Sequence, residues 1–131
     1  MLSLRIPAPD DFSQHYWDAA REGSLLFQEC GACGARQFYP RAHCARCLAP
    51  DPEWRPAAGT GNIHSFTTVH RTPNPEWATL TPYVFALVDL DEGVRITCNI
   101  KADDAELNCG ARVHIEFTER DGFSMPTARL A

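Results

Sequence analysis

Two different hydrophobic rhythms divide this chain. Near its start Phe12, Tyr16, Ala19 and Ala20 recur at spacings of four and three, with Trp17 widening the stripe, so Asp10 to Gly23 reads as one amphipathic helix. Asp10 or Asp11 is placed to cap its first turn, and Gly23 to end it in a left-handed conformation. An aromatic stripe needs cover, which either the rest of this chain or a second chain could give. From Gly59 the period changes to two. Asn62 to His70 alternates Ile63, Ser65, Thr67 and Val69 against His64, Phe66, Thr68 and His70, a strand pattern rich in β-branched and aromatic side chains. A loop holding Pro73, Pro75 and Pro82 follows. Tyr83 to Leu90 is then apolar on both faces, which predicts a central or covered strand. Asp91-Glu92-Gly93 turns the chain, Val94 to Ile100 returns, and Ala102 to Leu107 has room for a single helical turn. Val113, Ile115 and Phe117 mark a fourth strand, Asp121-Gly122 a hairpin turn, and Phe123 to Leu130 a fifth.

Five short strands, a long break after the first and a small element between the third and fourth suit a closed Greek-key barrel of the OB type, with an open antiparallel sheet as the alternative. The fold class is therefore mainly β: an N-terminal helix, then a metal ribbon, then the five-stranded barrel. The expected boundaries are 1–24 for the helical segment, 25–56 for the ribbon and 57–131 for the barrel.

The ribbon rests on CGACGARQFYPRAHCARC, Cys30 to Cys47, which gathers four of the six cysteines. Metal binding, disulfides and redox chemistry are the three possible reasons. Two CxxC pairs ten residues apart, each bent by small residues such as Gly31, Gly34 and Ala45, form two turns that aim four sulfurs at one ion. Cys30, Cys33, Cys44 and Cys47 are thus the expected ligands of a structural zinc, and the same four thiolates would also accept iron. With all four positions filled by protein, no place is left for water or substrate. Gln37 to Tyr39 should pair back on Leu25 to Gln28, and the stretch with Trp54 and Pro56 reads as a linker. His43 adjoins a ligand but is not needed as one.

At 131 residues there is room for one modest core with an appendage. No apolar run approaches the roughly 20 residues of a membrane span. The opening MLSLRIPAPDDF lacks the pattern of a secretory signal, which places the protein in the cytoplasm and counts against disulfides. The formal charge is −5, and about −7 once four thiolates surround a divalent ion. That disfavours non-specific nucleic-acid binding. Nearly all the positive charge is arginine, and Arg36, Arg41, Arg46 and Arg55 lie in or beside the cysteine segment. They are solvated charges around a negative site or a cradle for phosphates.

Cys98, on a strand's apolar face, reads as a core thiol. Cys109 has no neighbouring base, and His64, His70 and His114 are isolated on strands. No Ser/His/Asp set, paired carboxylates, phosphate loop or open metal site is present, so the residues offer no self-contained catalytic machinery.

The order of these parts, with YWDAAREGSLLFQECGACG and CARC, GTGNIHSFTTVHR, PYVFALVDLDEG from Pro82 to Gly93 and the closing DGFSMPTARLA, resembles an acyl-CoA-associated family. Its members join a rubredoxin-like zinc ribbon to an OB-fold and were once catalogued only as a domain of unknown function. The resemblance covers nearly the whole chain. It departs at Ala45, where a proline commonly follows the third cysteine, and at Met125 to Arg129, which lacks the usual aromatic before the arginine. It implies a non-catalytic accessory subunit of a thiolase-type acyl-CoA transferase, or of an aldolase or hydratase of lipid metabolism, in a hetero-oligomer that helps enclose acyl-CoA. Within that reading Arg36, Arg41 and Arg46 are candidates for the phosphates of coenzyme A. His70, Arg71 and Trp77, on or near the long first loop, are candidates for coenzyme or partner contact. The alternatives are a single-stranded nucleic-acid module, which needs aromatic platforms beside a basic groove, and a free-standing thiol or hydrolytic enzyme using Cys109 or His70.

Overall fold

The computed structural model of the chain describes residues 10–120 and 122–131. The first nine residues of the helical segment, with the leader reading that rests on them, and Asp121 of the hairpin turn lie outside them. The first helix, α1, spans Ser13–Arg21. Asp10 starts it: its Oδ1 accepts hydrogen bonds from the amides of Phe12 and Ser13, while the Ser13 hydroxyl accepts one from the Asp10 amide. Two orphan donors of the first turn are thereby satisfied, and the amides hold the Asp10 carboxyl below its ordinary value. Gly23, at φ 83°, ends it; the amides of Gly23 and Ser24 return to the carbonyls of Ala20 and Ala19.

Tyr16, Trp17 and Ala20 are buried as the helical period requires, but Phe12 is 47% exposed. Ser13 takes the covered position at the head of the helix instead. The cover is the protein's own. Leu26–Glu29 (β1), Arg36–Gln37 (β2) and Glu53–Pro56 (β3) form an antiparallel sheet in the order β2-β1-β3, and α1 packs on β1 and on the last strand of the barrel. The segment read as a linker is thus a third strand, with Arg55 opposite Phe27 and Trp54 opposite Gln28. Pro52 and Pro56 hide it from a pattern search, yet an edge strand tolerates proline because one row of its amides needs no partner. The expected pairing of Gln37 with β1 is present, Gln37 facing Gln28. Phe38 and Tyr39 leave the sheet and turn their rings to Tyr16, at 5.4 and 6.0 Å.

The barrel consists of Thr60–Val69 (β4), Tyr83–Leu90 (β5), Arg95–Ile100 (β6), Arg112–Arg120 (β7) and Phe123–Leu130 (β8), closed in the order β4-β5-β6-β8-β7. One 3₁₀ turn, Asp104–Glu106, occupies the space where the sequence allowed a single helical turn. Ile63, Val84, Ala86, Val88, Ile96, Val113 and Ala128 fill the interior. Cys98 joins them, and burial pushes its thiol up to about 12. The three-proline loop carries a short helix, α2 (Pro75–Ala78), capped by Asn74, whose side chain accepts from the Glu76 amide at 3.0 Å. β6 and β8 run parallel and pair only at Asn99–Thr127 and Ile100–Ala128. Beside this short seam Trp17 meets Phe123 edge to face, 5.4 Å between centroids. Among the described residues no helix is long and apolar enough to cross a membrane.

Candidate metal centre and binding face

The two CxxC turns have the same backbone. In the first, the Cys30 carbonyl accepts from the Gly34 amide and the Cys30 amide donates to the Ala35 carbonyl; in the second, Cys44 does the same with Leu48 and Ala49. The fifth position of each turn needs a positive φ. Gly34 supplies 75° without cost, whereas Leu48 holds 66° against its own Cβ. In each turn two amides point at the first sulfur, from Ala32 and Cys33 to Cys30 and from Arg46 and Cys47 to Cys44, at 3.3 to 3.5 Å. These dipoles favour the thiolates: Cys30 is lowered, and the Cys47 and Arg46 amides bring Cys44 to about 6. Against an amide hydrogen bond from Ala49, contact with Cys30 holds Cys47 up at about 11.

All four sulfurs lie within 4.8 Å of one another. Cys30 to Cys47 and Cys33 to Cys44 are both 3.6 Å. A tetrahedron with metal–sulfur bonds of about 2.3 Å has an edge of about 3.8 Å, and a disulfide would need about 2.0 Å. The donor set therefore fits a four-coordinate zinc and does not describe disulfides. Cys30 and Cys44 are buried, Cys33 and Cys47 exposed. His43 lies outside the group.

One residue that holds this centre escaped the sequence reading. Gln28, 2% exposed, donates from Nε2 to the Arg41 carbonyl; its Oε1 accepts from the Arg41 amide and from Gln37 Nε2. Gln37 in turn accepts from the Ala45 amide. The two glutamines tie the second turn to β1. The available signal was a lone amide side chain closing the apolar run Leu25-Leu26-Phe27.

The candidate contact residues have different surroundings. Arg36 donates to the Glu92 carbonyl at 2.8 Å, lies 3.4 Å from Glu29 and sits over the Phe27 ring, so its guanidinium joins ribbon to barrel. Arg41 and Arg46 extend from the ribbon surface with their backbones engaged. His70 and Arg71 are exposed just beyond β4, and Trp77, half-buried on α2, has its ring 5.6 Å from that of Tyr83. His70 lines a hollow on another side of the same tyrosine. His64 faces outward, 3.3 Å from Asp89 and 3.2 Å from Arg95.

The outer face of β5, expected to be covered, is partly open. Its inner residues are core, but Phe85 remains 38% exposed. From it a groove crosses Thr97, Met125 and Pro126 to Phe38 and Tyr39 on the ribbon, with hollows of about 180 Å³ beside Phe85 and about 260 Å³ beside Tyr39. No residue lining either hollow carries a charged group. The signal was the two-sided apolarity of Tyr83 to Leu90, which called for more cover than the chain supplies.

Residues 17–53 match the family model described as the ChsH2 rubredoxin-like zinc ribbon domain, and residues 54–118 match that of the ChsH2 C-terminal OB-fold domain. The chain is 34% identical over 129 residues to a probable enoyl-CoA hydratase alpha subunit of Thermomonospora curvata, covering 95% of itself and 39% of that longer protein. It is 33% identical over 96 residues to a DUF35 domain-containing scaffold protein of Methanothermobacter thermautotrophicus, covering 72% of itself and 71% of the scaffold. With the benzoylsuccinyl-CoA thiolase subunit BbsA of Geobacter metallireducens it shares 27% identity over 101 residues, 75% of this chain and 66% of that subunit. Among solved structures, a chain of the Ltp2-ChsH2(DUF35) aldolase superposes with a TM-score of 0.84 at 31% identity, over 95% of this chain and 98% of that one.

Proposed function

The chain belongs to the ChsH2 family, which joins a rubredoxin-like zinc ribbon to a C-terminal OB-fold domain, and on that premise we propose that it is an accessory subunit of an acyl-CoA-metabolising enzyme complex. The observation that carries this reading is likeness over nearly the whole chain, at 31% identity, to a chain of an aldolase whose name joins two proteins. Relatives named as a hydratase subunit and a thiolase subunit support the same class of partner. In this reading the partner enzyme carries the chemistry. Cys30, Cys33, Cys44 and Cys47 hold a zinc that is closed to substrate and shapes the ribbon. Of the candidate arginines, Arg41, Arg46 and Arg71 are available to the phosphates of coenzyme A, with His70 beside the long loop; Trp77, which lines the hollow next to Phe85, is a partner contact, and Arg36 serves first as the brace to Glu92. The nucleic-acid reading loses ground because, among the described residues, none lining the aromatic groove is a cation that could neutralise phosphates.

The test is reconstitution. An affinity-tagged chain isolated from its native host should bring down a thiolase-, aldolase- or hydratase-type enzyme. Acyl-CoA turnover should require that enzyme and rise when this chain is restored to it. Turnover of an acyl thioester by the purified chain alone would overturn the reading.

A further inference from the structure

The groove between Tyr39 and Phe85 is built by two parts of the chain. Phe38 and Tyr39 come from the ribbon, Thr97, Met125 and Pro126 from the barrel, and Tyr16 and Trp17 of α1 form the floor between them. Both end residues are large aromatics with a substantial face left to solvent, 41% for Tyr39 and 38% for Phe85. Such rings are the side chains that most often anchor protein interfaces. The lining is uncharged from end to end, so any ionised group set into it would lose its hydration without gaining a partner.

We propose that this groove seats an uncharged, apolar segment of the partner enzyme, a proposal that rests on the accessory-subunit reading above. Charge selects that occupant over the others. Coenzyme A would bring phosphates to a surface where, among the described residues, no lining residue is a cation. Among the described residues, a second copy of this chain could offer Phe12, Leu48 or Leu80, the other exposed large apolar residues. Phe12 follows Asp10 and Asp11, however, Leu48 is two residues from Arg46 and Leu80 four from Glu76, so each would carry a charge to the groove.

The experiment places the photocrosslinking residue p-benzoylphenylalanine at Phe85 or at Tyr39 of the tagged full chain in its native host, with His114, exposed on β7, as the control position. Irradiation should join positions 85 and 39 to one uncharged stretch of the acyl-CoA enzyme, and position 114 to none. In parallel, Met125→Arg should weaken binding of that enzyme at least 100-fold, with circular dichroism and metal content unchanged. Crosslinks to a second copy, loss of the crosslinks on adding free coenzyme A, crosslinks to the enzyme from position 114 alone, or wild-type affinity in Met125→Arg would overturn the groove proposal and leave the accessory role standing. If the unmodified tagged chain retains no acyl-CoA enzyme, the functional reading falls and the groove proposal falls with it.

Discussion

Trp17→Ala should be among the most damaging single changes outside the metal centre, although the residue lies on a nine-residue helix near the start of the chain. Trp17 is 6% exposed. Its ring stands edge-on to Tyr16 at 4.9 Å and to Phe123 at 5.4 Å, and Nε1 donates to the Tyr39 hydroxyl at 3.0 Å. Removing a ring so enclosed costs about 3–5 kcal/mol through lost transfer energy and the cavity left behind. That is a large part of the 5–15 kcal/mol expected for a whole domain. At roughly 3–5 °C per kcal/mol for a chain of this size, the melting midpoint should fall by about 10–20 °C. Trp17→Phe keeps a ring and deletes the donor. Because the Tyr39 hydroxyl can turn to water, that change should cost only about 1 kcal/mol beyond the packing difference. A double-mutant cycle with Tyr39→Phe should recover a coupling of about 0.5–1.5 kcal/mol. The assay is urea unfolding of the metal-loaded protein followed by far-ultraviolet circular dichroism, reading the midpoint at constant slope. A loss below 1 kcal/mol in Trp17→Ala would refute the claim that α1 is packed against the barrel in solution.

Acid should reveal a second contact. Both Asp91 oxygens accept from Arg112 at 2.6 Å and one also accepts from the Thr60 hydroxyl, which holds the carboxyl at about 2 against an ordinary 3.8. A lowered folded value stabilises the protein above the unfolded value and is lost as pH falls through the folded one. The gap in urea midpoint between the native protein and Asp91→Asn should be full above about pH 4 and close toward pH 2; a gap unchanged across that window refutes the pairing. Thiols give a countable test of the metal centre: in zinc-loaded protein an aromatic disulfide reagent should titrate exposed Cys109 quickly, reach the four ribbon cysteines only after a chelator is added, and reach buried Cys98 only on unfolding. Immediate reaction of the ribbon cysteines without chelator would speak against a bound ion. Gly61→Ala should cost about 1–3 kcal/mol in the same unfolding assay, because a Cβ there would lie 2.4 Å from the backbone carbonyl oxygen of Asp89, which has no room to yield.

The barrel was legible because its pattern and its burial have the same period. Val84, Ala86 and Val88, then Ile96, Cys98 and Ile100, are inward at every second residue, and the turns at Gly93 and Gly110 sit at positive φ where glycine is cheapest; β4 departs from its expected alternation, because a bulge between Ile63 and Ser65 turns Phe66 rather than Ser65 toward the core. The metal ribbon was legible for a different reason: ligand spacing is a covalent constraint that needs no knowledge of packing. What sequence did not disclose was pairing that depends on distant partners. β3 is a strand only because β1 offers it an edge. Gln28 is a structural residue only because a loop 13 residues away returns its peptide group to it.

The same distinction explains why the coenzyme assignments were harder than the metal. A phosphate cradle is defined by where guanidinium groups converge, and spacing in the chain says nothing of that. Arg36, Arg41 and Arg46 are five residues apart in turn, yet Arg36 spends its donors on Glu92 and its face on Phe27. The outer face of β5 was the more informative feature. A strand apolar on both sides must be covered on both or be meant for something beyond the chain, and here the barrel covers one side of Phe85 while the other stays open beside Thr97 and Pro126. Exposed apolar surface without charge is costly to leave in water and cheap to bury against a like surface. On the accessory-subunit proposal, that imbalance marks the groove, before any single charged residue, as the surface to test for a partner.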